Sequence, residues 1–158
     1  MIPAIVEAHL RAEHSGYEHH VHPHAETAWG LAGIEHAAGE RVSKSVVLSI
    51  NGELSIAVVA ATDRVDIDLL ERVTGSRVTL VAEDDFAARF QPCAPGAEPP
   101  LAIFGTPINV DDKLLRLQKL VMAAGTYEDA VIVDTSEWAR CEKVRPVSNL
   151  GRRATAMA

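Results

Sequence analysis

The strongest constraint on the fold is a pair of apolar segments joined by Asn51-Gly52. The segment from Arg41 to Ile50 is rich in β-branched and aliphatic residues, and the segment from Leu54 to Ala60 runs back from the turn. Asn-Gly favours a type I′ turn, because both central residues of that turn need positive φ. The sequence therefore predicts a buried hairpin over residues 42–60, with Lys44 near the start of its first strand.

The residues alone leave two interpretations of Lys44 open. A lysine at the start of a strand is commonly a surface charge whose aliphatic stem covers apolar neighbours. The loop of residues 91–100 favours a functional role, because four of the chain's eight prolines fall within these ten residues. Such a stiff loop presents backbone N–H groups at fixed angles, which is what an ester-binding or oxyanion site needs.

Short helices and short strands alternate along the rest of the chain. Helices are predicted at residues 2–13, 26–38, 66–73, 83–90, 114–124 and 136–141, the last capped by Ser136. Strands are predicted at residues 17–22, 77–82, 101–104, 107–110 and 130–133. This mixture indicates an α+β fold with a mixed, mostly antiparallel central sheet surrounded by short helices.

Length and composition predict one cytoplasmic domain. A chain of 158 residues can bury a core without disulfides, and Cys93 and Cys141 show no metal or redox spacing. No apolar run approaches the roughly 20 residues of a membrane helix, and the first residues lack the pattern of a signal peptide. The net charge of −7 argues against broad wrapping of nucleic acid, but not against a grip on the end of one strand.

The basic residues are concentrated near the C-terminus. Lys143, Arg145, Arg152 and Arg153 fall where acids are few. We therefore divide the chain into a domain of residues 1–142 and a basic tail of residues 143–158. Two interpretations of the tail stay open, a flexible segment and one that holds RNA.

Two other groups of residues could carry chemistry. Four histidines lie between His19 and His24, which suggests a metal site in principle, but Pro23 breaks the strand alternation and no supporting ligand spacing follows. A strand of solvated or hydrogen-bonded histidines is the alternative that we favour, so no metal and no cofactor are expected. Cys93 is the one tempting nucleophile, and its other interpretation is a small buried apolar residue.

Six motifs in order along the chain resemble the YbaK/ProX (YbaK/EbsC) family. They are Tyr17-Glu18 with His22-Pro-His24, Arg41-Val-Ser-Lys44-Ser-Val-Val, Ala60-Ala-Thr-Asp-Arg-Val-Asp66, Gly96-Ala-Glu-Pro-Pro100, Gly105-Thr-Pro-Ile-Asn-Val-Asp111 and Ala123-Ala-Gly125. This family comprises small trans-acting aminoacyl-tRNA deacylases related to the editing domain of bacterial prolyl-tRNA synthetases. The resemblance covers roughly residues 5–142. Many members have two adjacent glycines in the fourth motif, where this chain has Ala97 after Gly96.

The resemblance implies hydrolysis of the ester that joins a wrong, small amino acid, such as alanine or cysteine, to tRNA for proline. Lys44 takes the position of the family's essential lysine, and the implied substrate-binding residues are Gly96, Ala97, Glu98, Pro99, Pro100, His24, Asp111 and Gly125. An ester needs little more than orientation and oxyanion stabilisation, so a water, the neighbouring ribose hydroxyl or the thiol of a cysteinyl substrate could attack. The implied partners are the aminoacylated acceptor end of tRNA and prolyl-tRNA synthetase, with no membrane. The alternative is a catalytically silent module of the same fold that binds aminoacyl-tRNA or a synthetase.

Overall fold

A computed structural model of the chain describes residues 1–154. Within these residues there are five helices, α1 (Ala4–Glu13), α2 (Ala28–Ile34), α3 (Ile67–Thr74), α4 (Glu83–Phe90) and α5 (Thr135–Cys141). The same part of the chain contains ten strands, β1 (Glu18–Val21), β2 (Ser43–Ile50), β3 (Glu53–Ala60), β4 (Asp63–Val65), β5 (Val78–Leu80), β6 (Ile108–Asp111), β7 (Lys119–Ala123), β8 (Asp129–Asp134), β9 (Arg145–Val147) and β10 (Gly151–Arg153). Short 3₁₀ helices lie at Gly39–Arg41, Ala102–Phe104 and Asp112–Arg116.

The predicted hairpin is confirmed and forms the centre of the molecule. Strands β2 and β3 pair antiparallel from Ser43 opposite Ala60 to Ile50 opposite Glu53. Asn51 and Gly52 both have positive φ, 52° and 83°, as a type I′ turn requires.

The strands form three sheets, which confirms an α+β fold with mixed pairing. The largest sheet has the order β5-β2-β3-β6-β9, and within it β3, β6 and β9 run parallel. A second, antiparallel sheet has the order β1-β8-β7, and β10 pairs with β4 in a third. A parallel bridge between Val42 and Val121 joins the hairpin to the second sheet. The start of β2, where Lys44 lies, is therefore the junction between two sheets.

Two predicted elements are wrong. Residues 101–104, predicted as a strand, contain the 3₁₀ helix Ala102–Phe104. Leu101, just before this helix, and Phe104, at its end, are buried three residues apart. Residues 114–124, predicted as a helix, form a 3₁₀ helix followed by β7. Leu120 and Met122 join the largest apolar cluster and Val121 joins another. A strand that is buried on both faces has a continuous apolar pattern, and such a pattern cannot be told from a helical stripe.

Two predicted helices differ in their ends. The last helix is capped by Asp134, whose carboxylate accepts a hydrogen bond from the Glu137 N–H at 2.9 Å, and not by Ser136. Helix α2 is shorter than residues 26–38, since Thr27 caps its start and His36 has a φ of 52° two residues after its end. A residue with positive φ cannot continue a right-handed helix.

Much of the predicted tail is attached to the body of the protein. Strand β9 lies beside β6, strand β10 pairs with β4, and Val147 and Leu150 are buried in an apolar cluster with Leu70. Residues 155–158 of the tail lie outside the described residues. The division at residue 142 remains a prediction.

Within residues 1–154, every helix is too short or too polar to span a lipid bilayer.

Candidate functional site

A single cleft brings together Lys44 and the proline-rich loop. It lies between the start of β2, the segment before α2, the loop and the turn that joins β7 to β8, and it holds about 470 Å³ of empty space with its open mouth included. Its lining residues are His22, Ala25, Glu26, Thr27, Ala28, Leu31, Ser43, Lys44, Ser45, Gly96, Glu98, Ala123, Thr126 and Asp129.

Lys44 is half-buried in this cleft, opposite Val59 of β3. Its Nζ donates a hydrogen bond to the backbone carbonyl of Asp63. Burial lowers the pKa of Lys44, Asp63 opposes this shift and Arg64 adds to it. Among the described residues no carboxylate forms an ion pair with the ammonium group, so its charge is available to a ligand.

The proline-rich loop is held in one shape by side chains and backbone around it. Gly125 donates its N–H to the Ala97 carbonyl at 2.8 Å and accepts the Ala94 N–H at 2.9 Å. The hydroxyl of Tyr127 donates to the Pro95 carbonyl, and the indole N–H of Trp138 donates to the Pro100 carbonyl at 2.9 Å. The loop is therefore a fixed wall of the cleft.

Glu98 is a buried carboxyl group in that wall. It is 4% exposed, and both carboxylate oxygens lie 3.1 Å from the backbone nitrogen of Gly96. Burial raises the pKa of Glu98 to about 7, with a further contribution from Glu83, while backbone N–H groups of the loop oppose the shift. A carboxyl group that is this poorly solvated marks a candidate functional position.

The loop amides are already engaged within the protein. The Gly96 N–H points to Glu98, and the Ala97 N–H donates to the Ala94 carbonyl at 2.9 Å. Pro99 and Pro100 have no N–H to offer. Of the predicted loop residues, Gly96 and Glu98 line the cleft, and Ala97, Pro99 and Pro100 are buried behind it.

The three predicted substrate-binding residues outside the loop do not line the cleft. His24 is exposed, and its ring contacts Tyr127 and hydrogen-bonds Glu128 at 3.1 Å. Asp111 is buried and accepts the Gly151 N–H at 2.9 Å. Gly125 supports the loop from behind, through the hydrogen bonds given above.

Sequence reasoning missed several polar residues that the cleft contains. Asp129, at the start of β8, accepts hydrogen bonds from His19, Thr126 and the amino group of Met1. Burial would raise the pKa of Asp129, but these hydrogen bonds outweigh it and hold the pKa at about 2. The signal in the sequence was an acid that directly precedes the apolar residues of β8, four residues after Gly125 of the last motif.

Cys93 has the properties of a buried core residue. It is 6% exposed, lies in the largest apolar cluster and does not line the cleft. Burial, with Glu98 nearby, raises the pKa of the Cys93 thiol to about 12. Because the thiolate is the reactive form, these features favour the packing interpretation of Cys93 over the nucleophile.

A second cluster of ionisable groups lies away from the cleft, between the ends of α1 and α5. The Nε2 atoms of His9 and His14 lie 2.7 and 2.6 Å from the same oxygen of Glu142. The other oxygen of Glu142 accepts the Ala102 N–H at 2.7 Å. Nitrogen and oxygen ligands of a tetrahedral zinc ion would be about 3.3 Å apart, so the distances are those of hydrogen bonds that connect the two helices.

Comparison with solved structures shows how widely this fold is shared. The chain matches a candidate trans-editing enzyme for prolyl tRNA synthetase with a TM-score of 0.80 and 18% identity, covering 94% of this chain and 95% of that one. It matches the hypothetical protein APE2540 with a TM-score of 0.83 and 17% identity, over 93% and 99% of the two chains. A scaffold used for computational epitope grafting matches with a TM-score of 0.81 and 20% identity, over 94% and 96%. At these identities the matches show the fold alone.

No curated protein matches the chain. The family described as "Aminoacyl-tRNA editing domain" matches residues 22–141, which include Lys44, the proline-rich loop and the whole lining of the cleft. The chain belongs to the aminoacyl-tRNA editing domain family.

Proposed function

We propose that this protein is a trans-acting editing hydrolase that cleaves the ester of a mischarged tRNA, with a small amino acid on tRNA for proline as its substrate. The observation that carries the proposal is the meeting of Lys44 and the Gly96–Glu98 segment in one cleft. Family membership supports the reaction class, and the resemblance described above supports the substrate. Association with prolyl-tRNA synthetase is a prediction that rests on the same resemblance.

In this proposal Lys44 acts through its charge. Its ammonium group attracts the carbonyl oxygen of the ester and stabilises the negative charge that forms there when water attacks the carbonyl carbon. The carbon–oxygen bond to the ribose then breaks, the ribose oxygen leaves with a proton, and the free amino acid and tRNA are released. The fixed loop supports this role, because orientation alone accounts for much of the acceleration that a reactive ester needs.

A second candidate is a catalytically silent module that binds aminoacyl-tRNA. The observation that favours it is that the Gly96 and Ala97 N–H groups donate hydrogen bonds to Glu98 and to the Ala94 carbonyl. In an oxyanion site these N–H groups would instead donate to the oxyanion. A module of this kind would hold the acceptor end without lowering the barrier to hydrolysis.

The test measures deacylation of alanyl-, cysteinyl- and seryl-tRNA for proline by the wild type, Lys44→Ala and Lys119→Ala. Lys119 is an exposed lysine at the start of β7, outside the cleft, and serves as the matched control. We expect the wild type and Lys119→Ala to hydrolyse at least one of the three substrates. We expect Lys44→Ala to lose at least 100-fold in kcat/KM, as is typical when an oxyanion contact is removed.

Far-ultraviolet circular dichroism and the melting temperature of Lys44→Ala should remain close to wild type. Full activity of Lys44→Ala would contradict the hydrolase. Binding of the tRNAs without hydrolysis of any of them would support the silent module.

A further inference from the structure

The carboxyl groups of the cleft differ in how many hydrogen bonds and ion pairs they form within the protein. Asp129 accepts three hydrogen bonds, and the one from the Met1 amino group is also an ion pair. Glu26 is exposed to solvent and lies 3.4 Å from His24. Glu98 is buried, and within residues 1–154 its side-chain oxygens form no ion pair and have only two backbone N–H groups near them, those of Gly96 and of Glu98 itself. A carboxylate has room for about four hydrogen bonds, so Glu98 is the under-satisfied acid of this site.

The charge of the cleft also indicates that Glu98 lacks a cationic partner. Three carboxyl groups line it, from Glu26, Glu98 and Asp129, against the single lysine Lys44. Glu83, at the start of α4, adds a further acid near Glu98. Burying an unpaired carboxylate is costly unless a cation compensates it. The protein supplies none to Glu98, and a ligand could.

We propose that Glu98 binds a protonated amine in the aminoacyl part of the substrate. This inference rests on the proposed function and deepens it, because it assigns a specificity-determining contact within the same cleft. Lys44 would meet the electron-rich ester, and Glu98, in the proline-rich loop that lines the same cleft, would meet the cationic end of the same small molecule. The contact is a charge-assisted hydrogen bond, which is stronger than a neutral one.

Such an amine has two possible sources. Every aminoacyl ester carries an α-ammonium group, and some amino acids carry a second ammonium in the side chain. Recognition of the first would make the site read any aminoacyl-tRNA with a free amino group. Recognition of the second would select cationic amino acids.

Stable analogues separate these sources. The probes are 3′-amino-3′-deoxyadenosine joined through an amide to alanine, to N-acetylalanine and to Nα-acetyllysine, so that the amine is on the α-carbon, absent or on the side chain. Their dissociation constants are measured with the wild type, Glu98→Gln and Glu128→Gln. Glu128 is an exposed acid outside the cleft. Glutamine keeps an oxygen for the Gly96 N–H, so the loop is expected to keep its shape.

We expect the wild type and Glu128→Gln to bind at least one amine-bearing analogue about 10- to 100-fold more tightly than the N-acetylalanyl analogue. Glu98→Gln should bind all three within about threefold of each other. Tighter binding of the alanyl analogue identifies the α-ammonium as the source, and tighter binding of the acetyllysyl analogue identifies the side chain.

Equal binding of the three analogues by the wild type, or binding of none, would overturn the role of Glu98. Because this result is obtained with the wild type alone, it does not depend on whether a variant folds. A preference that persists in Glu98→Gln would overturn it as well. Either result, in a protein that hydrolyses mischarged tRNA with Lys44 required, leaves the proposed function standing. Absence of hydrolysis would remove the proposed function itself.

Discussion

At Gly96 the backbone conformation limits substitution more than crowding does. Its φ is 89°, in the left-handed region, and a Cβ placed there would meet only the Glu26 carbonyl oxygen at 3.4 Å, an ordinary contact. A β-branched residue is a severe outlier at such a φ. The same residue directs its N–H to Glu98, so the conformation of Gly96 and the position of that carboxyl group depend on each other.

Gly96→Val should therefore distort the loop. We expect the free energy of unfolding to fall by about 1–3 kcal/mol. We also expect kcat/KM for the mischarged tRNA that the wild type hydrolyses to fall at least 100-fold. Gly33→Val is the matched control, because Gly33 lies in α2 with an ordinary φ and open space around it. Urea denaturation and the deacylation assay measure the two effects. Wild-type activity in Gly96→Val would mean that the loop has only a structural role.

At the scale of elements, the hydrogen bonds around Glu142 connect α1 with α5. The carboxylate is 2% exposed and accepts hydrogen bonds from His9, His14 and the Ala102 N–H. Burial would raise the pKa of Glu142, but these hydrogen bonds outweigh it, so the pKa lies below its usual range. A carboxyl group whose pKa is depressed on folding stabilises the folded state above its unfolded pKa, which is about 4.5 for Glu142. This contribution is lost as the pH falls through the folded pKa.

Glu142→Gln should show this effect directly. At pH 7 we expect the free energy of unfolding to fall by about 1–3 kcal/mol, because the amide cannot accept all three hydrogen bonds. The difference from wild type should shrink as the pH falls below about 4.5, where the unfolded state protonates Glu142, and it should be lost completely only below the lower pKa of the folded state. Urea denaturation between pH 3 and 7 measures it, with Glu53→Gln, at an exposed acid of β3, as the control. A difference that is constant over this range would mean that the charge of Glu142 does not contribute.

The elements that sequence patterns predicted well are those with a local cause. Asn51-Gly52 specifies its own turn, and Glu83–Phe90 was predicted to the residue because acids begin that helix and two phenylalanines lie on its inner face. Strand β7 was missed because its apolar side chains pack into two different clusters, and these clusters form only in the folded state. The same distinction holds for the site. Lys44 and Gly96 could be identified from the motifs, whereas the burial of Glu98 depends on how the loop packs against Gly125 and Tyr127.

At the scale of the whole molecule, the C-terminal segment completes two sheets and lies behind the site. Gly151 donates its N–H to Asp111, and a Cβ on Gly151 would come within 2.8 Å of the Asp63 carboxylate. The backbone carbonyl of the same Asp63 accepts the hydrogen bond from Lys44. Asp63 therefore lies between this segment and Lys44, although Lys44 and Gly151 are about 100 residues apart in sequence.

Leu150→Ala tests whether this segment is part of the domain. Leu150 is 0% exposed and packs in a cluster with Leu48, Val59 and Leu70. Removing three buried carbons from such a site costs about 2–5 kcal/mol, so we expect the midpoint of urea denaturation to fall with an unchanged slope. Leu80→Ala is the matched control, because Leu80 is 68% exposed and its truncation should cost less than about 0.5 kcal/mol. If residues 143–158 form a separate tail, the two variants should be equally stable; a large difference would extend the domain beyond residue 142.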